Sequence, residues 1–369
     1  MPDTLALPTL AIPAPVPPAS LPTASSPAVP VSGLKQEPAV LLAQAPTRSL
    51  AEIRAPIEAD LAAFQQHFRA AMKSNVWLLD RVTQYILKHK GKQIRPILVL
   101  LAARLLGEVS DTTYRGAALV ELLHTATLVH DDVVDDAETR RGVFSIKALW
   151  KNKVGVLLGD YLLSRGLLLA LDAKDYDLLH TVSDAVRRMA EGELSQLEHS
   201  RRLDTTEAIY FQIISDKTAS LIAACLACGA ISVTDDETTV ARLRHVGETL
   251  GLAFQIRDDL FDYGDVDVGK PLGNDVQERK LTLPLIYALD QAAPREAKAI
   301  RKLVKRRKKT RADVDRVVRF VYDNGGVAYA RARMEALAAE AIGDLLTFPE
   351  SEARTALLGL AKFIVARKR

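Results

Sequence analysis

Apolar positions recur with a helical period of about 3.6 residues from roughly residue 50 almost to the C-terminus. Ile97-Leu98-Val99-Leu100-Leu101 with Leu105 form one such stripe, and Leu119, Leu122, Leu123 and Ala126 form another. Ser49-Leu50-Ala51-Glu52 fits a capping box, with Ser at the N-cap and Glu three residues on, and marks where order begins. Short polar turns such as Asn274-Asp275 and Asn324-Gly325-Gly326 separate the periodic stretches. Strand–turn–strand alternation and a GxGxxG loop are both missing, which excludes a nucleotide-binding α/β fold. The pattern predicts one large all-α domain over about 48–369, without a regular repeat.

Upstream of that boundary the pattern stops. Residues 1–47 are rich in Pro, Ala, Ser and Thr, and Pro13, Pro15, Pro17 and Pro18 oppose a helix. The segment reads as a disordered tail. Its first basic residue is Lys35, so it lacks the Arg-rich amphipathic pattern of a transit peptide and the charged n-region of a secretory signal. No window reaches the 18 or so apolar residues that a membrane span requires. The longest uncharged run, Thr218–Thr234, is small and Ser/Thr-containing and reads as a buried helix.

Composition narrows the function classes. A net charge of +3 on 369 residues demands neither nucleic acid nor a membrane. The two cysteines, Cys225 and Cys228, rule out a disulfide framework. Their C-x-x-C spacing could be a redox pair or half a zinc site, but no second ligand pair lies near, and their small apolar surroundings read as a tightly packed helix.

Two acidic clusters break the apolar helices. The first is His130-Asp131-Asp132-Val133-Val134-Asp135-Asp136 and the second is Asp258-Asp259-Leu260-Phe261-Asp262, preceded by Phe254-Gln255. On a helix, positions four apart share a face, so Asp131 projects with Asp135 and Asp258 with Asp262. Like charges placed together at a helix C-terminus repel each other and oppose the dipole, so a cation must compensate. Hard oxygen ligands on one face suit Mg²⁺, which completes its shell with waters and phosphate oxygens. Either cluster alone could be a solvated helix end, but two copies of one spacing make a site. Cations gather around them: Lys92 and Arg95 ahead of an apolar helix, Arg140-Arg141-Gly142 after the first cluster, Lys217-Thr218, and Lys270 and Lys280 around the turn after the second. Any one of these reads as a surface charge. Together they suggest diphosphates held by Mg²⁺ on one side and cations on the other.

In this order the motifs resemble those of the trans-polyprenyl diphosphate synthases, over roughly residues 50–369. The resemblance rests on GKxxRP (Gly91–Pro96), the first DDxxD with RRG (Asp131–Gly142), Gly159-Asp160 and Glu191-Gly192-Glu193 with Gln196. It continues through Lys217-Thr218, FQxxDDxxD (Phe254–Asp262) and Gly269-Lys270 through Lys280. The chain departs from the family at Lys90, where a second Gly is usual, at Gln93, where Arg is usual, and at Arg279, where Gly is usual.

The resemblance implies a helical bundle with a central cavity between helices, several Mg²⁺ ions, and a homodimer. It implies that Asp131, Asp132, Asp135 and Asp258 bind metal and that Asp262 orients ligands or metal waters. Arg140, Lys217, Gln255 and Lys270 would hold an allylic diphosphate of farnesyl or geranyl type. Lys92, Arg95, His124 and Arg141 would hold isopentenyl diphosphate; from its apolar surroundings alone His124 reads as a core histidine. Lys217, Thr218 and Gln255 would steady the reacting cation. The basic end Arg367-Lys368-Arg369 resembles a tail that folds over the site in relatives, or is a frayed, solvated terminus.

Product length is expected to be set one turn before Asp131, at Ala126 and Thr127, where no aromatic ring blocks the growing chain. That predicts a long, octaprenyl-to-decaprenyl product of the kind that serves quinone side chains, made in the cytoplasm or at a membrane surface. Alternatives are a shorter-chain synthase, a non-catalytic partner subunit, which usually loses acidic motifs, and a terpene cyclase, which typically lacks GKxxRP and the second DDxxD. Lys305-Arg306-Arg307-Lys308-Lys309 reads as a solvated turn, with weak attraction to anionic lipid as the alternative and no nucleic-acid partner expected.

Overall fold

A computed structural model describes residues 37–89, 91–140, 143–264 and 273–366, apart from the side chain of Arg140. The chain enters through α1 (Pro38–Gln44), α2 (Leu50–Arg54), α3 (Glu58–Ala71), α4 (Trp77–Lys88) and α5 (Ile94–Leu106). The capping box forms as expected: Ser49 Oγ accepts from the Glu52 N–H at 3.3 Å while Glu52 takes the Ser49 N–H at 2.7 Å. α1 lies inside the stretch read as disordered, and residues 1–36 of that stretch lie outside the described residues. Pro38 supplies a preset φ at its first turn, and Leu41 buries its side chain beside Gly343. Five residues of apolar sequence, Ala39–Ala43, are too few to show a period but are enough once another helix covers them.

Two long helices follow, α6 (Asp111–Val134) and α7 (Ile146–Asp172), joined through a short antiparallel ribbon of β1 (Thr139–Arg140) and β2 (Val143–Phe144). Then come α8 (Tyr176–Arg202), α9 (Glu207–Ile214), a π-helical turn (Ser215–Ala219), α10 (Ser220–Ile231) and α11 (Glu237–Phe261). The remainder is α12 (Asn274–Gln277), α13 (Leu283–Gln291), α14 (Pro294–Val304), α15 (Arg311–Asp323), α16 (Gly326–Leu346) and α17 (Glu352–Ala366). The all-α expectation holds, the two-residue ribbon being the one strand pair among the described residues.

The central helix is α10, whose small residues are almost entirely buried, Cys225 and Cys228 among them. Burial raises both thiols, Cys228 to about 12, so neither is a ready thiolate and the packed-helix reading stands. Neighbouring helices reach α10 closely because they too present small residues. A carbon added at Gly251 of α11 would stand 2.5 Å from Ala219 Cα.

These contacts fix direction. Along α11, Gly247 faces Ala223 and Gly251 faces Ala219, so α11 runs antiparallel to α10. Along α6, Thr113 bonds Ser232 at 2.7 Å and Gly116 faces Cys228, so α6 is antiparallel to α10 as well. Asp131 lies about 22 Å beyond Gly116 along α6, and Lys217 about 16 Å back from Cys228. The C-terminal ends of α6 and α11 therefore arrive at the end of the bundle where α10 begins.

Two stretches, Ile146–Asp172 and Glu207–Ile231, are by length and composition long and apolar enough to cross a bilayer. This corrects the expectation that no window is apolar enough, because a span of this length tolerates one or two charged residues. The second is mostly buried around α10, whereas α7 leaves Leu157, Leu168 and Leu171 exposed.

Candidate active site

The second acidic cluster ends α11, where its three carboxylates have different surroundings. Asp258 is half-buried. Asp259 is buried, and it accepts the Tyr210 hydroxyl at 2.7 Å and the Gln255 amide at 2.8 Å. Burial, reinforced by the charge of Asp275, pushes its carboxyl up to about 8. Asp262 spends both oxygens on the next segment, accepting from the Asn274 N–H at 2.8 Å and the Asp275 N–H at 2.9 Å. It thus also anchors the start of α12. Asp275, held beside it, is lifted to about 6 by burial and then by the Asp262 charge.

Facing this helix end is the π-helical turn. An extra residue in the turn unwinds the helix locally and re-aims Lys217 and Thr218. Thr218 donates its hydroxyl to Gln255 Oε1 at 2.8 Å, tying the turn to α11. Lys217 donates to Gln196 at 3.1 Å and pairs with Glu193, both on α8. Gly192 lets α8 lie against the turn, since a carbon added there would stand 2.8 Å from the Lys217 nitrogen. Beneath the turn, Arg188 bonds Asp216 at 2.7 Å, Ser215 at 2.8 Å and Glu248 at 2.8 Å, a part-buried brace joining α8, the turn and α11. A cavity of about 100 Å³ opens here, walled by Gln196, Tyr210, Lys217, Thr218, Gln255 and Lys280 among others. Burial opposes the charge of Lys280, but Glu278 at 2.5 Å raises its pKa overall.

The first cluster ends α6. Asp131 and Asp135 are exposed and Asp132 is buried, so the expected shared face of the i and i+4 pair is present. The turn that follows is held by Ser145, which donates to the Ala137 carbonyl at 2.6 Å, and by Lys147, which pairs with Asp136 at 2.7 Å and Glu138 at 2.9 Å. Those two acids raise the Lys147 pKa. The ribbon places the backbone of Arg140 directly after this turn; its side chain, Arg141 and Lys270 lie outside the described residues, as do Lys90 and Arg367–Arg369.

Of the cations expected to hold the second substrate, Lys92 is exposed and Arg95 half-buried at the start of α5. Arg95 lies near enough to Cys225 for its charge to oppose the burial that raises the thiol, and Glu121, one turn before His124 on α6, acts on the same sulfur. Both charges thus lie near the junction of α5, α6 and α10, and His124, on α6, is buried. Gln93, one of the departures from the family, holds φ 52° at the start of α5, a left-handed backbone unusual for a side chain of this kind.

The carboxylates fit a hydrated divalent cation rather than a protein cage. Among the described residues, no three His, Cys, Asp or Glu side chains converge on one point. Asp131 and Asp135 are exposed and Asp258 is half-buried, which suits a Mg²⁺ that keeps waters and takes further ligands from phosphate. Ala126 is buried in α6 and Thr127 is half-buried, its hydroxyl turned back to the His124 carbonyl at 2.8 Å. Tyr210, the buried state of Asp259 and the Arg188 brace were not anticipated. Tyr210 sits in an apolar run, Ile209-Tyr210-Phe211, that carries no mark of its partner.

The family profile described as polyprenyl synthetase matches residues 76–321. Octaprenyl diphosphate synthase of Escherichia coli (strain K12) is 36% identical over 312 residues, covering 84% of this chain and 96% of that protein. A crystal structure of polyprenyl synthase from Caulobacter crescentus CB15, complexed with calcium and isoprenyl diphosphate, matches with a TM-score of 0.79 at 36% identity, covering 88% of this chain and 99% of that one. A geranylgeranyl pyrophosphate synthase from Bacteroides thetaiotaomicron matches with a TM-score of 0.73 at 42% identity, covering 86% and 99%.

Proposed function

The chain belongs to the polyprenyl synthetase family, and from that premise we propose that it is a Mg²⁺-dependent synthase condensing isopentenyl diphosphate with an allylic diphosphate into a long product. One observation carries the reading. Two acidic helix ends and the Lys217–Thr218 turn arrive at the same end of the bundle, with Gln255 bonded to Thr218 between them.

Asp131, Asp132, Asp135 and Asp258 would hold Mg²⁺, which when bound neutralises the diphosphate charge. Lys217 and Lys280, with Arg140 and Lys270, would gather the allylic diphosphate oxygens. Lys92, Arg95, His124 and Arg141 would place isopentenyl diphosphate with its alkene toward the allylic carbon. The allylic C–O bond then breaks, its electron pair leaving with diphosphate. The alkene attacks the resulting cation, and a proton is lost to the departing diphosphate. Thr218 and Gln255, preorganised by their own hydrogen bond, would turn hydroxyl and amide dipoles toward the cation. Positioning two substrates and excluding water supply the rest.

The small Ala126 supports a long product, of the octaprenyl-to-decaprenyl class suited to a quinone side chain. A shorter product is the second reading, favoured by the likeness to the geranylgeranyl pyrophosphate synthase. The exposed Leu157, Leu168 and Leu171 of α7, with Leu194 and Leu197 of α8, support a homodimer. The purified chain, given Mg²⁺, labelled isopentenyl diphosphate and farnesyl or geranyl diphosphate, should extend the primer alone. Incorporation only after adding another chain would make it a partner subunit.

A further inference from the structure

The strongest charge asymmetry of the molecule lies outside the candidate active site. Residues 295–319, which span nearly all of α14, the turn after it and most of α15, hold twelve Lys and Arg against three Asp and Glu, a net charge of +9. The whole chain carries +3, so everything else is net acidic. Geometry turns these charges outward. Ala297, Ile300, Leu303 and Val304 of α14 and Val314, Val317, Phe320 and Val321 of α15 are buried, which leaves the opposite faces and the turn to the cations. Lys302, Lys305, Arg306, Arg307, Lys308 and Arg316 are all exposed. Local acids engage few of them: Arg306 pairs with Asp313 at 3.0 Å and Arg311 with Asp315 at 3.0 Å, while Arg301 stands 3.9 Å from Asp290.

Like charges packed this densely repel, and a counter-anion relieves them. Within 295–319 no large apolar or aromatic side chain is exposed, and Tyr322, exposed near the end of α15, commits its hydroxyl to the Tyr263 carbonyl at 3.0 Å. The surface therefore has neither a wedge to insert into a bilayer nor a ring on which a nucleic-acid base could stack. What remains is a cationic face spread over two helices and a turn, too wide for one diphosphate and suited to a plane of anionic headgroups.

Its position ties it to the candidate active site. Lys309 Nζ donates to the Gln277 carbonyl at 3.3 Å, and the Gln277 amide reaches back to the Lys309 carbonyl at 3.5 Å. Val314 closes on Gly273, the residue before α12. The other side of α12 is held by Asp262, and Asp275 lines the cavity. The cationic hairpin is thus one short helix away from the diphosphate end of the site.

We propose that the α14–α15 hairpin is a peripheral docking surface for an anionic lipid bilayer, holding the mouth of the site at the membrane surface. The choice of a bilayer rests on the long-chain reading, because a polyprenyl product of that length leaves water for lipid. Contact is electrostatic and superficial, so it is reversible and salt-sensitive.

The test is co-sedimentation of the full chain, without substrate, with phosphatidylglycerol/phosphatidylcholine vesicles and with phosphatidylcholine alone. The wild type should bind only the anionic vesicles and release on raising salt from 50 to 500 mM (about a threefold shorter Debye length). Replacing four exposed cations together, Lys302→Gln, Lys305→Gln, Arg307→Gln and Lys308→Gln, should weaken partitioning on the order of 10²–10³-fold. Activity of that variant in detergent should stay unchanged, which shows that it folds. Equal binding by variant and wild type, or equal binding to neutral vesicles, would overturn the proposal. So would release from vesicles by inorganic diphosphate at low millimolar concentration, or preference for an oligonucleotide over vesicles of equal charge. Product length measured in detergent is independent of these arms, so a short product with vesicle binding retained sinks the long-chain reading alone.

Discussion

Tyr210 donates its phenol hydrogen to Asp259 at 2.7 Å inside the protein, so the middle carboxylate of the second acidic cluster faces a partner, not solvent. Folded Asp259 keeps its proton up to about pH 8, whereas the unfolded carboxyl releases it near the ordinary 3.8. With divalent ions chelated, this residue's contribution makes the chain lose stability as pH rises from about 4 to about 8, and nothing more above that. The Tyr210 hydrogen bond favours the ionised form and limits the loss. Tyr210→Phe should therefore cost about 1–3 kcal/mol at pH 9, where the bond is charge-assisted, and less at pH 6. Thermal melts at the two pH values decide it: an equal deficit at both would mean that the hydroxyl does not act through Asp259's charge.

The carboxylates of the two clusters should separate by function. Asp131→Ala and Asp258→Ala remove two of the carboxylates proposed to hold Mg²⁺ and should lower turnover by at least about 10²-fold. Asp262→Ala removes the acceptor of two backbone N–H groups and should cost about 1–3 kcal/mol of stability as well as activity. Raising Mg²⁺ should not restore the Asp262 variant. Full rescue by excess Mg²⁺ would return Asp262 to the metal site.

Much of this was legible because helices write their period into sequence and because DDxxD spacing survives translation into geometry. Asp131 and Asp135 share an exposed face as their spacing requires. The capping box at Ser49 needed only local rules. What stayed hidden depends on partners far away in the chain. Nothing local distinguishes Asp259, which is buried under Tyr210, from Asp258 beside it. Arg188 looks like a surface charge until Asp216 and Glu248 arrive from two other elements. The re-aiming of Lys217 comes from a π-helical turn, a one-residue insertion with no signature in composition. The helix at Pro38–Gln44 was hidden for the same reason, since its stability comes from α16 and not from its own residues.

Arg279 stands where relatives usually carry Gly, and its φ of 63° explains the usual choice. A left-handed conformation costs a non-glycine residue about 1–2 kcal/mol, of which glycine's extra freedom in the unfolded chain would return about 0.4–1. The charge of Arg279 also bears on Lys309, whose pKa is held down by burial first and then by Arg279. Arg279→Gly should raise stability by about 1 kcal/mol, or roughly 1–2 °C in melting temperature for a chain of this size. No rise, or a fall, would mean that the Arg279 side chain makes contacts worth more than its backbone strain.

Ala126 is buried in α6 one turn and a residue ahead of Asp131, so any side chain placed there meets the core directly. If the growing chain passes this point, a phenyl ring blocks it a fixed distance from the diphosphate. Ala126→Phe should then shift the product to a shorter class while the first condensations proceed at near wild-type rate. Overpacking the core would instead lower stability by about 1–3 kcal/mol and slow every condensation equally. Comparing product distributions at matched total incorporation, alongside melting temperatures, distinguishes the two. Thr127→Ala is the control, because its hydroxyl turns back to the His124 carbonyl and its loss adds no bulk. A full-length product from a stably folded Ala126→Phe enzyme would move the path of the chain to another face of α6.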